Sequence, residues 1–160
     1  MTVLSPVEFR HFEPGDEAAY RQLNEAWIAG NFVVEEKDWE VINDPVGQIL
    51  RRGGSIFMAM QEGAAIGTCS LLPMEDGAFE VAKMTVAEKC RGQGIGKKLL
   101  SHVIDYAEGT GAKRLYLETN NKLVNAIHVY ESLGFSHLPP ERVHPSPYVR
   151  ANVFMELWLR

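Results

Sequence analysis

The chain reads as a single α/β domain over residues 1–160, built on a mixed, twisted central sheet with helices on both faces. Three observations predict this. Short apolar runs bounded by Gly, Pro, Asn and Asp recur as strands between residues 55 and 86. Patterns of helical period lie on either side of them. At 160 residues and 46% hydrophobic, the chain suffices for one proper core but not for two.

Val3 to Phe12 reads as a first strand, and Pro14-Gly15-Asp16 as a turn whose aspartate is placed to cap the next helix. In that helix Ala19, Leu23, Ala26 and Trp27 recur at helical spacing through Ile28, until Gly30-Asn31 ends the pattern. Glu35 to Ile42 forms a second helix. Asn43-Asp44-Pro45 breaks it, and a short apolar turn leads through Arg52-Gly53-Gly54 to a strand from Ser55 to Met60. Gln61-Glu62-Gly63 turns the chain into a strand from Ala64 to Leu72. Glu75-Asp76-Gly77 turns it again into Phe79 to Val86, completing an antiparallel meander.

Beyond a glycine-rich loop, Ile95, Leu99, Val103 and Ala107, with Leu100 and Ile104 beside them, make one apolar helix face. Gly109 to Gly111 stops this helix. Arg114 to Thr119 is a short strand, Leu123 to Leu133 a helix closed by Gly134, and Asn152 to Leu159 the last strand. The strand at 79–86, its helix and the strand at 114–119 compose a β-α-β unit, whose strands should be parallel and whose ligand belongs at their carboxyl ends. The Pro-rich stretch from Leu138 to Pro147 is an exposed loop of the kind that shapes an acceptor site.

Arg91-Gly92-Gln93-Gly94-Ile95-Gly96 sits between the third meander strand and the amphipathic helix. The first backbone N–H groups of a helix lack intrahelical partners, and the macrodipole adds partial positive charge there. Glycines at 92, 94 and 96 let an anion approach that backbone, and Arg91, Lys97 and Lys98 add side-chain charge. Two competing phosphate motifs fail on the letters. The dinucleotide fingerprint needs glycine at position 97, which is lysine. The nucleotide P-loop needs glycine at 91 and Ser or Thr at 98, which are Arg91 and Lys98.

The letters do match R/Q-x-x-G-x-G/A, the acyl-coenzyme-A signature of the GNAT superfamily of N-acetyltransferases, which the chain resembles over about residues 3 to 159. Asn125 to Phe135 is similar to that family's N-x-x-A-x-x-x-Y-E-x-x-G-F helix, with Ala126 one place early. The resemblance implies a fold in which a bulge splays the two parallel strands, and a pantetheine arm enters the gap. It implies acetyl-coenzyme A as cosubstrate, held by Met84, Val86, Arg91, Gly92, Gln93, Gly94, Ile95, Gly96, Lys97 and Asn125, the last on the cofactor arm or a buried water. It also implies direct acetyl transfer to a primary amine in a ternary complex.

Such a reaction needs a neutral amine, a stabilised oxyanion and a proton for the departing thiolate. Tyr130 corresponds to the family's tyrosine facing the sulfur, and is the expected acid. Glu80 matches a carboxylate position of the histone-acetylating branch and is the expected base, with Glu118 its rival. Strand alternation places Glu80 on the same face as Val86, near which a backbone N–H would meet the oxyanion, and turns Lys83 to the opposite side. Trp27, Phe32 and Trp39, beside Glu35, Glu36 and Asp38, offer either core packing or an amine site. His144 is a further candidate for an acceptor cleft.

The remaining composition narrows the function. Net charge is −5 with Lys and Arg scattered, which leaves no basic stripe for nucleic acid. Cys69 and Cys90 form no C-x-x-C pair, and His11, His102, His128, His137 and His144 show no metal spacing, so neither a disulfide framework nor a metal is expected. No leader pattern and no apolar run near the roughly 18 residues of a membrane span is visible, which points to the cytoplasm. A small-molecule or peptide amine is the expected partner, and a sheet-edge homodimer is compatible with the resemblance. The rival function is a catalytically silent coenzyme-A-binding sensor or assembly module.

Overall fold

The computed structural model describes residues 5–160, so the expectation for Val3 and Leu4 lies outside the described residues. In chain order the elements are β1 (Glu8–His11), α1 (Glu17–Asn31), α2 (Glu36–Asn43), α3 (Pro45–Gln48), β2 (Ser55–Gln61), β3 (Ala64–Pro73) and β4 (Ala78–Val86). After these come α4 (Ile95–Gly109), β5 (Arg114–Thr119), α5 (Val124–Ser132), β6 (Ser136–His137) and β7 (Val153–Trp158). Among the described residues the strands form one mixed sheet in the order β1-β2-β3-β4-β5-β7-β6. Its parallel pair is β4 with β5, as the β-α-β unit requires.

Local chemistry explains most boundaries. The β2–β3 hairpin turns on Glu62 and Gly63, both at positive φ, the geometry that matches the twist of the flanking strands. Helix α2 starts with a reciprocal capping box between Glu35 and Asp38. Two expectations change at the N-terminal side. Asp16 precedes α1 but makes no side-chain cap; its carboxylate accepts the Glu13 N–H at 2.8 Å and is gripped by Arg10 at 2.7 and 3.1 Å. The stretch after Asn43 is the short helix α3, because the Asp44 side chain accepts from Gly47 N–H and Pro45 suits a first helical position. The two-residue β6 was not anticipated; it carries too few residues to show a period.

The sheet is packed on both faces. On one, Leu99, Leu100, Val103 and Ala107 of α4, with Ile127 and Tyr130 of α5, cover Phe57, Cys69, Leu71, Val81, Leu115 and Leu117. On the other, Tyr20 of α1 and Val41 and Ile42 of α2 cover Ile56 and Met58. Burying each large apolar side chain contributes about 1.5–3 kcal/mol, so these two layers hold the sheet between its helices. Among the described residues no helix is long and apolar enough to cross a membrane.

Candidate active site

The glycine loop forms the start of α4. Gly92 and Gly94 have φ of +80° and +75°, and a Cβ at either would meet nothing within 4 Å, so the demand is on the backbone and not on space. Gly94 is the N-cap and provides no side-chain cap. The first helical bond runs from Lys98 N–H to the Gly94 carbonyl at 3.1 Å, which leaves the N–H groups of Ile95, Gly96 and Lys97 without intrahelical acceptors. Arg91 folds back to donate from Nε to the Val86 carbonyl at 3.1 Å, tying the loop to the end of β4.

A cavity leads away from this helix terminus. Of the residues expected at the cofactor, Met84, Val86, Arg91, Gly92, Gly94, Ile95, Gly96, Lys97 and Asn125 line it, with Cys90, Lys122 and Tyr130. Gln93 is exposed and is not among its lining residues. Asn125 stands exposed on the first turn of α5, a position suited to contact with an arm in the groove rather than with a buried water.

The cavity exists because β4 and β5 part. They pair from Ala78 with Arg114 to Val81 with Leu117, and no further. On its other side β4 carries a bulge. Thr68 opposes Thr85 and Ser70 opposes Ala82, so Lys83 and Met84 together face the single residue Cys69. Lys83 takes the extra turn at φ +51°, a left-handed conformation unusual for a residue with a Cβ. Ala87 N–H bonds to the Ile66 carbonyl toward β3 at 2.7 Å, so by alternation the N–H of Val86 points into the gap.

The bulge overturns two expectations drawn from strict alternation. Val81 packs in the α4 layer, whereas Thr85, four residues on, donates to the Leu23 carbonyl of α1. Parity has flipped between them. Glu80 therefore lies on the α1 face and Val86 on the α4 face, beside Ile95 and Cys90, and the two side chains do not share a face. Lys83 does not turn away; it lines the same cavity as Glu80.

That second cavity lies between α1, the splayed strands and the loop before β7. Its walls include Asn24, Trp27, Phe32, Glu80, Lys83, Glu118, Tyr148 and Arg150. Fully buried Asp38 organises its outer side. It accepts Lys83 Nζ at 2.7 Å and both terminal nitrogens of Arg150 at 2.7 Å, and its capping bond from Glu35 N–H is 2.9 Å. Burial opposes ionisation of Asp38, but Arg150 and Lys83 prevail and hold its carboxyl at about 2. Glu35 accepts from Arg150 at 3.2 Å and from Val149 N–H at 3.0 Å. Tyr148 lies under both cations, 4.5 Å from Lys83 Nζ and 4.6 Å from the Arg150 guanidinium carbon. Of the acids expected to hold an amine, Glu35 and Asp38 are thus neutralised within the protein, and Glu36 is exposed and does not line this cavity. Trp39 packs in the α2 core, and His144 is exposed and does not line this cavity.

The inner carboxylates differ in their hydrogen-bond partners. Glu118 accepts the Tyr116 hydroxyl at 2.8 Å and the Ser146 hydroxyl at 2.5 Å. Among the described residues Glu80 has no such donor. Burial first, then the charge of Glu118, push its carboxyl up to about 7, against the pull of Lys83. Tyr130 lies where the two cavities meet, and Trp27, Met84 and Leu123 line both with it. Burial raises its hydroxyl well above the ordinary phenol value, and Cys69 is its neighbouring titratable group.

A splayed parallel pair beside a glycine-rich helix start is the arrangement of a known family, and that family's model, described as the acetyltransferase (GNAT) family, matches residues 12–135. The chain belongs to the GNAT family. The Escherichia coli protein YjgM, an uncharacterized N-acetyltransferase, is 34% identical over 99 residues, covering 59% of each chain. The chain spans between 39% and 63% of the length of the first curated relatives it matches. A GNAT-family acetyltransferase from Staphylococcus aureus Mu50 superposes with a TM-score of 0.87 at 20% identity, over 97% of this chain and 100% of that one. The structure of yncA from Salmonella typhimurium with its cofactor acetyl-CoA has a TM-score of 0.75 at 21% identity, over 96% and 94% of the two chains. These likenesses show the GNAT fold. Within it, Tyr148 and Arg150 are wall residues that sequence reasoning missed, with only the Pro-rich loop pointing toward them, and Lys83 is one that it placed on the opposite side.

Proposed function

We propose that the chain transfers an acetyl group from acetyl-coenzyme A to a primary amine by direct attack in a ternary complex, within the cytoplasm. The observation that carries this reading is the meeting of two cavities at Tyr130 and Met84, one leading to the glycine loop and the other to Glu80. The glycine loop fits a pyrophosphate through the free N–H groups of Ile95, Gly96 and Lys97 and the charges of Arg91 and Lys97. Met84, Val86 and Asn125 would hold the pantetheine arm, and Gln93 would act from the rim of the loop. Bound there, acetyl-coenzyme A supplies an activated thioester carbonyl.

The chain's own groups fill the three remaining roles. Glu80, poised near 7, takes the proton of the incoming ammonium, directly or through water. The inward Val86 N–H stabilises the oxyanion that develops on the carbonyl. Burial keeps Tyr130 protonated, so its hydroxyl stands ready to donate to the sulfur as the carbon–sulfur bond breaks, and the proton that the attacking nitrogen sheds as the amide forms replaces the one given to the thiolate. Two free, buried cysteines suit a reducing compartment.

The test is acetyl-coenzyme-A-dependent release of free thiol across amines and peptides, with cofactor binding followed by thermal shift. Release above the no-acceptor control is expected. Binding without release from any acceptor would instead favour a coenzyme-A sensor, and no binding would overturn the reading of the glycine loop.

A further inference from the structure

If the second cavity receives the amine, its wall chemistry states what kind of amine. The two cations that line it are already committed: Lys83 to Asp38, and Arg150 to Asp38 and Glu35. Those four groups cancel in charge. The charged groups that remain facing the cavity are Glu80 and Glu118, and Asn24 is among its polar lining residues.

Asn24 is only 2% exposed, on the buried face of α1. Its Nδ2 donates to the Tyr20 carbonyl at 2.9 Å, which fixes the amide orientation because a carbonyl can only accept. Its Oδ1 takes part in no hydrogen bond among the described residues, yet no fully enclosed side-chain oxygen or nitrogen lacks a partner. The oxygen therefore opens on the cavity that Asn24 lines. A nearly buried, unpartnered acceptor awaits a donor from a ligand.

Glu118 also has acceptor capacity to spare, since Tyr116 and Ser146 occupy one site on each of its oxygens. Trp27, Ile28 and Leu123 provide apolar lining for methylene groups. The mutual repulsion of Glu80 and Glu118 is relieved by a bound cation.

We infer that the acceptor is an aliphatic diamine or polyamine, whose reacting amine stands at Glu80 while its second ammonium is taken up by Glu118 and the Asn24 side-chain carbonyl. An acceptor carboxylate would meet the same oxygens and be repelled, because Asp38 and Glu35 already occupy the cations that would bind it.

The experiment compares 1,5-diaminopentane, pentylamine and 5-aminopentanoate as acceptors at equal pH and ionic strength. They share one chain and differ only in the charge at the far end. The diamine is expected to exceed pentylamine in kcat/KM by about tenfold or more, the worth of a charge-assisted hydrogen bond, and 5-aminopentanoate to be the poorest. Glu118→Gln should bring the ratio of diamine to pentylamine close to one, and the wild-type series stands alone should that variant fold poorly. Equal use of all three, or preference for 5-aminopentanoate, overturns the inference while leaving acetyl transfer intact. So does rejection of the diamine by a protein that acetylates a peptide N-terminus. Absence of thiol release with every amine tried removes both readings together.

Discussion

Glu80 carries the clearest consequences of a single side chain. A general base must be ionised to act, so kcat/KM should rise with pH through about 7, where burial and Glu118 have placed its carboxyl. Glu80→Gln should abolish that rising limb and lower the rate by about 10²–10⁴-fold, and a pH–rate profile of the two proteins checks this. The same shift acts on stability. A carboxyl raised from 4.5 to about 7 on folding contributes stability that is fully present below about 4.5 and lost as pH rises through 7. Glu80→Gln should therefore melt like wild type at pH 4.5 but above it at pH 8. Equal melting temperatures at both would contradict the placement of Glu80 beside Glu118.

The elements that frame the site have their own weak points. Gly94 caps α4 at φ +75°, where a side chain costs about 1–2 kcal/mol. Gly94→Ala should lower unfolding stability by that amount and weaken binding of coenzyme A, both measurable by thermal shift with and without the cofactor. The Asp38 node joins α2, the bulge of β4 and the loop before β7. Asp38→Asn removes the buried carboxylate shared by Lys83 and Arg150, leaving Lys83 without its ion pair, and should cost about 3–5 kcal/mol in urea unfolding. Because the Asp38 carboxyl is held at about 2, its contribution persists above the ordinary value of 3.8 and is lost only as pH falls through 2.

These elements also show what a sequence reveals. The glycine loop and the Tyr130 helix were readable because their spacing is local and their backbone demands are specific to residue type. The bulge was not, since Lys83 is an ordinary residue in an ordinary strand pattern, and period-two reasoning then misplaced both it and Glu80 relative to Val86. The acceptor wall was hidden for another reason. Asp38 lies 45 positions from Lys83 and 112 from Arg150, and no periodicity connects residues so far apart.

Across the molecule, the sheet acts as a hinge of chemistry rather than of motion. Pairing of β4 with β5 through Val81 holds the strands together, and their separation beyond it opens one passage from the start of α4 to Glu80. Helix α1 and the loop before β7 close that passage at the Glu80 end, and the β4-α4 unit closes it at the glycine loop. Tyr130 stands at the junction, so its hydroxyl belongs to neither binding site alone. Steady-state kinetics of Tyr130→Phe beside wild type, with acetyl-coenzyme A affinity measured by calorimetry, addresses this directly. A fall in kcat of about a hundredfold or more with unchanged cofactor affinity is expected of a tyrosine that protonates the leaving thiolate. Thiol release at the same rate from both proteins would show that the hydroxyl takes no part in acetyl transfer.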